Sequence, residues 1–167
     1  MEGILSYNKN DYVVYKGSEI CRIGDITKMS FDGINEVEYY VLIPISKESE
    51  KYYLPVAVAE DKLRAPLTPD EVNALIDGMK TAKPLILDMH KKDRFAGLLN
   101  TNDHRQLISL LHTLYLERQE RINAGKKLAA IDEKAMRSAQ SLIEKEFAFV
   151  LGIAETEVDG YIRSRIE

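Results

Sequence analysis

The stretch KNDYVVYKGSEICRIGDI (residues 9–26), answered by VEYYVLIPI (37–45) and KYYLPV (51–56), decides the fold of the first third of this chain. These runs are dense in Val, Ile and Tyr and are divided by Gly, Asp and Asn, the composition of short β-strands separated by turns. Asp11 to Tyr15 reads as one strand, Lys16-Gly17-Ser18 supplies turn chemistry, and Ile20, Arg22 and Ile23 resume a strand. Asp32-Gly33 marks a hairpin or loop, and a third strand follows from about Val37 to Ile45. Lys47 to Glu50 forms the next turn, and Lys51 to Pro55 is a fourth, short strand. Pro55 ends that strand or places it at an edge, because proline has no N–H for a ladder. Four or five short strands in so short a segment predict an SH3-like or Tudor-like barrel. No catalytic cluster sits among them, so the first reading is a small barrel that binds something.

Composition changes at Thr68-Pro69-Asp70-Glu71. Thr68 can cap a helix, Pro69 fits its first position, and Glu71 stands where a capping box needs it. Val72, Leu75, Ile76 and Met79 repeat at helical spacing, predicting a helix from about 69 to 80 that Pro84 stops. Beyond Pro84 the chain reads as helices only, near 86–99, 102–123, 131–151 and 155–165. Leu107, Leu110, Leu111 and Leu114 make one apolar stripe; Ala135, Ala139, Leu142, Ile143, Phe147 and Val150 make another, with Gly152 at its stop position. The expectation is an α+β chain: a barrel domain over 1–67, a capped helix and linker over 68–84, and an all-α bundle over 85–167.

With 167 residues and 45% hydrophobic content, the chain has the material for a packed core in one medium or two small domains. No apolar run reaches the roughly 20 residues that span a bilayer, and MEGILSYNKND lacks the pattern of a secretory leader, which predicts a cytoplasmic protein. Charge is uneven: residues 1–79 carry 8 basic against 14 acidic side chains (net −6), and residues 80–167 carry 15 against 13 (net +2). That asymmetry suggests two modules with different partners.

Candidate chemistry is sparse. Cys21 alone excludes an internal disulfide or a cysteine zinc site, and it reads as a small apolar strand residue. His90, His104 and His112 lack metal-binding spacing and read as solvated or interfacial. Neither a nucleophile elbow nor a glycine-rich phosphate loop occurs, so the expectation is no enzyme, no metal and no cofactor. Lys91, Lys92 and Arg94 fall in one helical turn, and Arg118, Arg121, Lys126 and Lys127 gather at the next helix end, though Asp93, Glu117 and Glu120 are interleaved. Phosphate neutralisation requires cations without a carboxylate on the same face.

N-D-Y-V-V-Y at 10–15, R-I-G-D-I at 22–26, E-Y-Y-V-L at 38–42, L-P-V at 54–56 and L-R at 63–64 resemble, in order and spacing, the CarD/CdnL transcription regulators and the interaction domain of the transcription-repair coupling factor. L-L-N-T-N-D at 98–103, L-Y-L-E-R-Q-E-R at 114–121 and K-E-F-A-F-V-L-G at 145–152 are similar to the helical half of that family. The resemblance implies a bacterial factor whose barrel binds the RNA polymerase β subunit and whose helices touch promoter DNA, stabilising the open complex. The implied polymerase-facing residues are Lys28, Met29, Lys51 and Tyr53, within Thr27–Met29 and Lys51–Tyr53. The implied DNA contacts are Lys91, Lys92, Arg94, Arg118, Arg121 and Lys126, with Met89 in place of the wedge tryptophan that relatives carry. Met29 and Tyr53 align where relatives hold arginines, Lys16-Gly17-Ser18-Glu19 replaces a P-G-H-G-like turn, and the chain has no tryptophan. The alternatives are a protein-binding adaptor without DNA contact and, more remotely, an enzyme whose site exists only in tertiary contacts.

Overall fold

The computed structural model describes residues 6–87, 90–101 and 103–166, which divide into two compact units, up to Pro66 and from Leu67. In the first, five strands, β1 (Tyr12–Tyr15), β2 (Glu19–Met29), β3 (Val37–Pro44), β4 (Tyr52–Pro55) and β5 (Leu63–Arg64), form one antiparallel sheet in the order β4-β3-β2-β1-β5. The Ile23–Leu42 pair sets the β2–β3 register, and alternation does the rest: Val13, Cys21, Ile23, Tyr40, Leu42 and Leu54 build the core. The Tyr40 ring is fully buried, and its hydroxyl accepts from the Tyr7 amide at 3.3 Å, so its polar end is satisfied.

The β2–β3 register shifts between Ile23 and Asp25, a bulge that bends the long second strand. At Gly24 a Cβ would meet the end of the Ile43 side chain, which would have to shift to admit it.

The strands agree with the sequence expectation apart from their ends and one addition. Leu63–Arg64 pairs with β1 although two residues carry no strand pattern of their own. Closure is the correction. The sheet is open, since among the described residues β4 and β5 do not pair. A four-residue and a two-residue strand, joined by a 3₁₀ turn (Val56–Val58) and a one-turn helix, α1 (Ala59–Lys62), offer too short a ladder to seal a barrel.

The second unit contains α2 (Pro69–Gly78), α3 (Lys91–Leu99), α4 (His104–Asn123), α5 (Ala130–Leu151) and α6 (Glu155–Ile166). The capping box forms: Thr68 Oγ1 accepts from the Glu71 amide, and the Glu71 carboxylate accepts from the Thr68 amide, both at 3.1 Å. α2 packs on α4, α5 and α6, so it belongs to the helical core. Val72, Ile76, Leu107, Leu111, Ile143 and Phe147 are among the buried residues of that core. Gly152, at φ 69°, closes α5 in the left-handed conformation.

The helix expected over 86–99 starts only at Lys91. Before it, Leu85 and Leu87 pack on the core while Ile86 is 82% exposed, the in-out-in spacing of extended chain, and the Leu85 amide donates to Thr113 Oγ1 at 2.8 Å. That bond, together with the two packed leucines, holds this segment extended.

Candidate partner-binding surfaces

Two surfaces, one on each unit, carry the residues singled out from the sequence. On the sheet, Met29 pairs across with Val37 and Tyr53 with Val41, and Val37, Tyr39 and Val41 share one face of β3. Met29 and Tyr53 therefore stand on the same outer face, about 13 Å apart along the strands at ~3.3 Å per residue. Lys28, opposite Glu38, has the parity of Tyr40 and Leu42 and lies on the other face. Lys51 is exposed just before β4.

This face is largely apolar, with Thr27 and Asp25 as its polar members, and partly open to solvent: Val37 is 38% exposed and Tyr53 46%. At its end, Phe31 meets Tyr39 edge-on with ring centroids 5.3 Å apart. Phe31 and Ile34 were missed in the sequence because they sit in the turn SFDGINE, where only the Asp-Gly signal was weighed. Two large apolar residues inside a turn were the available clue.

Asp32 holds that turn. Its Oδ1 accepts from the Ile34 and Asn35 amides, each at 2.8 Å, and from Ser30 Oγ at 3.2 Å; Oδ2 accepts from the Asn35 side chain. These donors, the backbone amides first, hold its carboxyl at about 2, so it is charged at neutral pH.

Backbone is available as well. Among the described residues β4 pairs only with β3, and no strand pairs with the other side of the Asp25–Met29 segment of β2. Such edges offer unpaired N–H and C=O groups to a partner strand.

On the helical unit, the candidate cations separate into different roles. Lys91 Nζ lies 3.3 Å from Asp132 Oδ2, and Asp132 is fully buried, so Lys91 neutralises an internal carboxylate. Arg121 pairs with Glu117 at 3.2 Å one turn away. Arg118 places its guanidinium 5.5 Å from the Tyr115 ring centre and one nitrogen 3.5 Å from Met136 Sδ. Lys92, Arg94 and Lys126 are exposed. Met89 lies outside the described residues.

The Lys91–Asp132 pair joins first-turn residues of α3 and α5, so both helices begin at one end of the unit, beside the 124–129 loop that carries Lys126 and Lys127. Two helix N-termini there favour anions, an attraction that Asp93 and Glu133 offset.

One histidine departs from the sequence expectation. His104, read as solvated or interfacial, is 7% exposed, with Nε2 3.0 Å from Glu146 Oε1. Glu146, fully buried, also accepts from the Leu67 amide at 2.8 Å. The inward position follows from α4 starting at His104, whose first turn faces α5. Burial pushes the Cys21 thiol up to about 12, which leaves it protonated and a poor nucleophile. Among the described residues no group of three or more metal-binding side chains occurs, and no helix is long and apolar enough to cross a membrane.

Comparison with known proteins gives a match over residues 7–66, nearly the whole first unit, to the CarD-like/TRCF RID domain. No curated protein matches the chain. The matched family is one of protein-interaction domains, in keeping with a face of apolar side chains and free strand edges. Its N-terminal sheet unit, over residues 7–66, is thus similar to the CarD-like/TRCF RID domain.

Proposed function

We propose that the chain is a bacterial, cytoplasmic transcription regulator that binds the RNA polymerase β subunit through its N-terminal unit and promoter DNA through its helical unit, stabilising the open complex. The observation that carries the polymerase half is the RID match over residues 7–66 on a sheet with an apolar outer face at Met29 and Tyr53. Main-chain pairing at a free edge gives such a contact affinity, and the outward side chains give it selectivity. With Met29 and Tyr53 in the places where relatives hold arginines, the contact relies on apolar burial more than on charge.

The DNA half is supported by Lys92, Arg94 and Lys126, exposed where α3 and α5 begin. A second reading, a polymerase-bound adaptor without DNA contact, is favoured by the internal pairing of Lys91 and Arg121. Titration of the full chain with forked promoter DNA across salt concentrations separates the two. Contacts from Lys92, Arg94 and Lys126 give a log–log slope near −3, from about −0.9 per phosphate neutralised. Lys92→Glu with Arg94→Glu flattens the slope and leaves polymerase binding intact. A flat slope in the unmodified chain refutes DNA contact and favours the adaptor.

A further inference from the structure

From the end of the sheet, we infer that the β2–β3 turn is a preformed apolar plug, with Phe31 and Ile34 as its anchors, that seats in an apolar pocket of the polymerase rimmed by basic side chains. The inference rests on the polymerase-binding reading and extends its contact surface to residues that the resemblance does not point to.

Exposure alone would not carry it, since single surface apolar residues are ordinary. Here the two share one short turn. Phe31 is 68% exposed and Ile34 85%, Phe31 packs edge-on against Tyr39, and Met29 faces Val37 at the root of the same turn. This places the turn in continuity with the outer face assigned to the polymerase.

The turn is also ordered before any partner arrives. Four bonds to the Asp32 carboxylate and a left-handed Gly33 at φ 76° fix the backbone between the two anchors. An apolar group held in place loses little conformational entropy on docking, which is the economy of a preorganised anchor. The hydrophobic effect would otherwise favour folding Phe31 and Ile34 back onto the sheet.

Charge specifies the rim of the receiving pocket. Asp32 and Glu36 lie in the turn itself, Glu38 faces Lys28 across the strands behind it, and Asp25 stands further along β2, so the acidic residues here outnumber the basic. A complementary surface presents arginines or lysines around an apolar centre.

The test measures affinity of the full-length chain for purified RNA polymerase. Phe31→Ala with Ile34→Ala weakens binding by about thirtyfold or more, as expected for two central anchors. The thermal transition stays in place, because neither side chain is in the core. Glu36→Lys with Glu38→Lys weakens binding further as salt is lowered. Unaltered affinity in the Phe31/Ile34 variant, with loss in Tyr53→Ala, overturns the plug and leaves the sheet-face contact standing. Tighter binding by the lysine variant overturns the basic rim. Failure of the unmodified chain to bind polymerase overturns both the plug and the reading on which it rests.

Discussion

Replacing Lys91 by alanine tests whether its charge serves the interior or a ligand. Asp132 is fully buried, its carboxylate lies 3.3 Å from Lys91 Nζ, and the Lys91 side chain is 29% exposed. At an effective dielectric of about 20, that separation corresponds to a gross attraction of roughly 5 kcal/mol. Losing one partner of a fully buried pair costs about 3–5 kcal/mol; the partial exposure of Lys91 lets water reach the vacated site, which lowers the expectation to about 2–3 kcal/mol. Lys92→Ala, one residue on and exposed, changes stability by less than about 0.5 kcal/mol. In urea, with a slope of roughly 2 kcal/mol per molar, the Lys91 variant unfolds about 1 M earlier. Lys91→Ala combined with Asp132→Asn recovers part of the loss, giving a coupling energy of about 1–3 kcal/mol. Equal midpoints for the Lys91 and Lys92 variants, or zero coupling, refute the internal role. Charge reversal at Lys91 is accordingly unsuited to probing DNA binding, because it confronts one buried carboxylate with another.

Glu146→Ala deprives His104 and the Leu67 amide of a shared buried acceptor and costs about 3 kcal/mol, with faster hydrogen exchange at Leu67; Glu146→Gln keeps an acceptor and loses less. Identical exchange at Leu67 in the two variants counts against this role. The Asp32 carboxyl titrates near 2, below its ordinary value of about 3.9, so its stabilising effect on the turn is complete above about pH 4 and is lost as pH falls through 2. Carboxyl carbon shifts followed by NMR check this, and a midpoint near 4 means the turn is open in solution.

Local signals were legible where local physics decides the outcome. The Thr68 capping box, the Leu107–Leu114 stripe and the Gly152 stop each depend on residues within a few positions, and each is present. β5 escaped because Leu63–Arg64 becomes a strand only through β1, some fifty residues earlier. The role of Lys91 escaped for the same reason, since Asp132 lies 41 positions away and charge spacing along one helix cannot reveal a partner on another. His104 looked surface-bound until α5 supplied Glu146. In the sheet unit, the family resemblance pointed to Met29 and Tyr53, while the exposed Phe31 and Ile34 emerged only once the turn had a shape.

The pairing of β5 with β1 has a consequence for modularity. Tyr15 lies opposite Leu63 and Val14 opposite Arg64, so the chain leaves the sheet alongside the strand by which it came in. A unit whose two ends are neighbours can be spliced into a loop of an unrelated host with short tethers and little distortion of either partner. Leu63–Arg64 thus acts as a seam that brings the exit of the sheet unit beside its first strand.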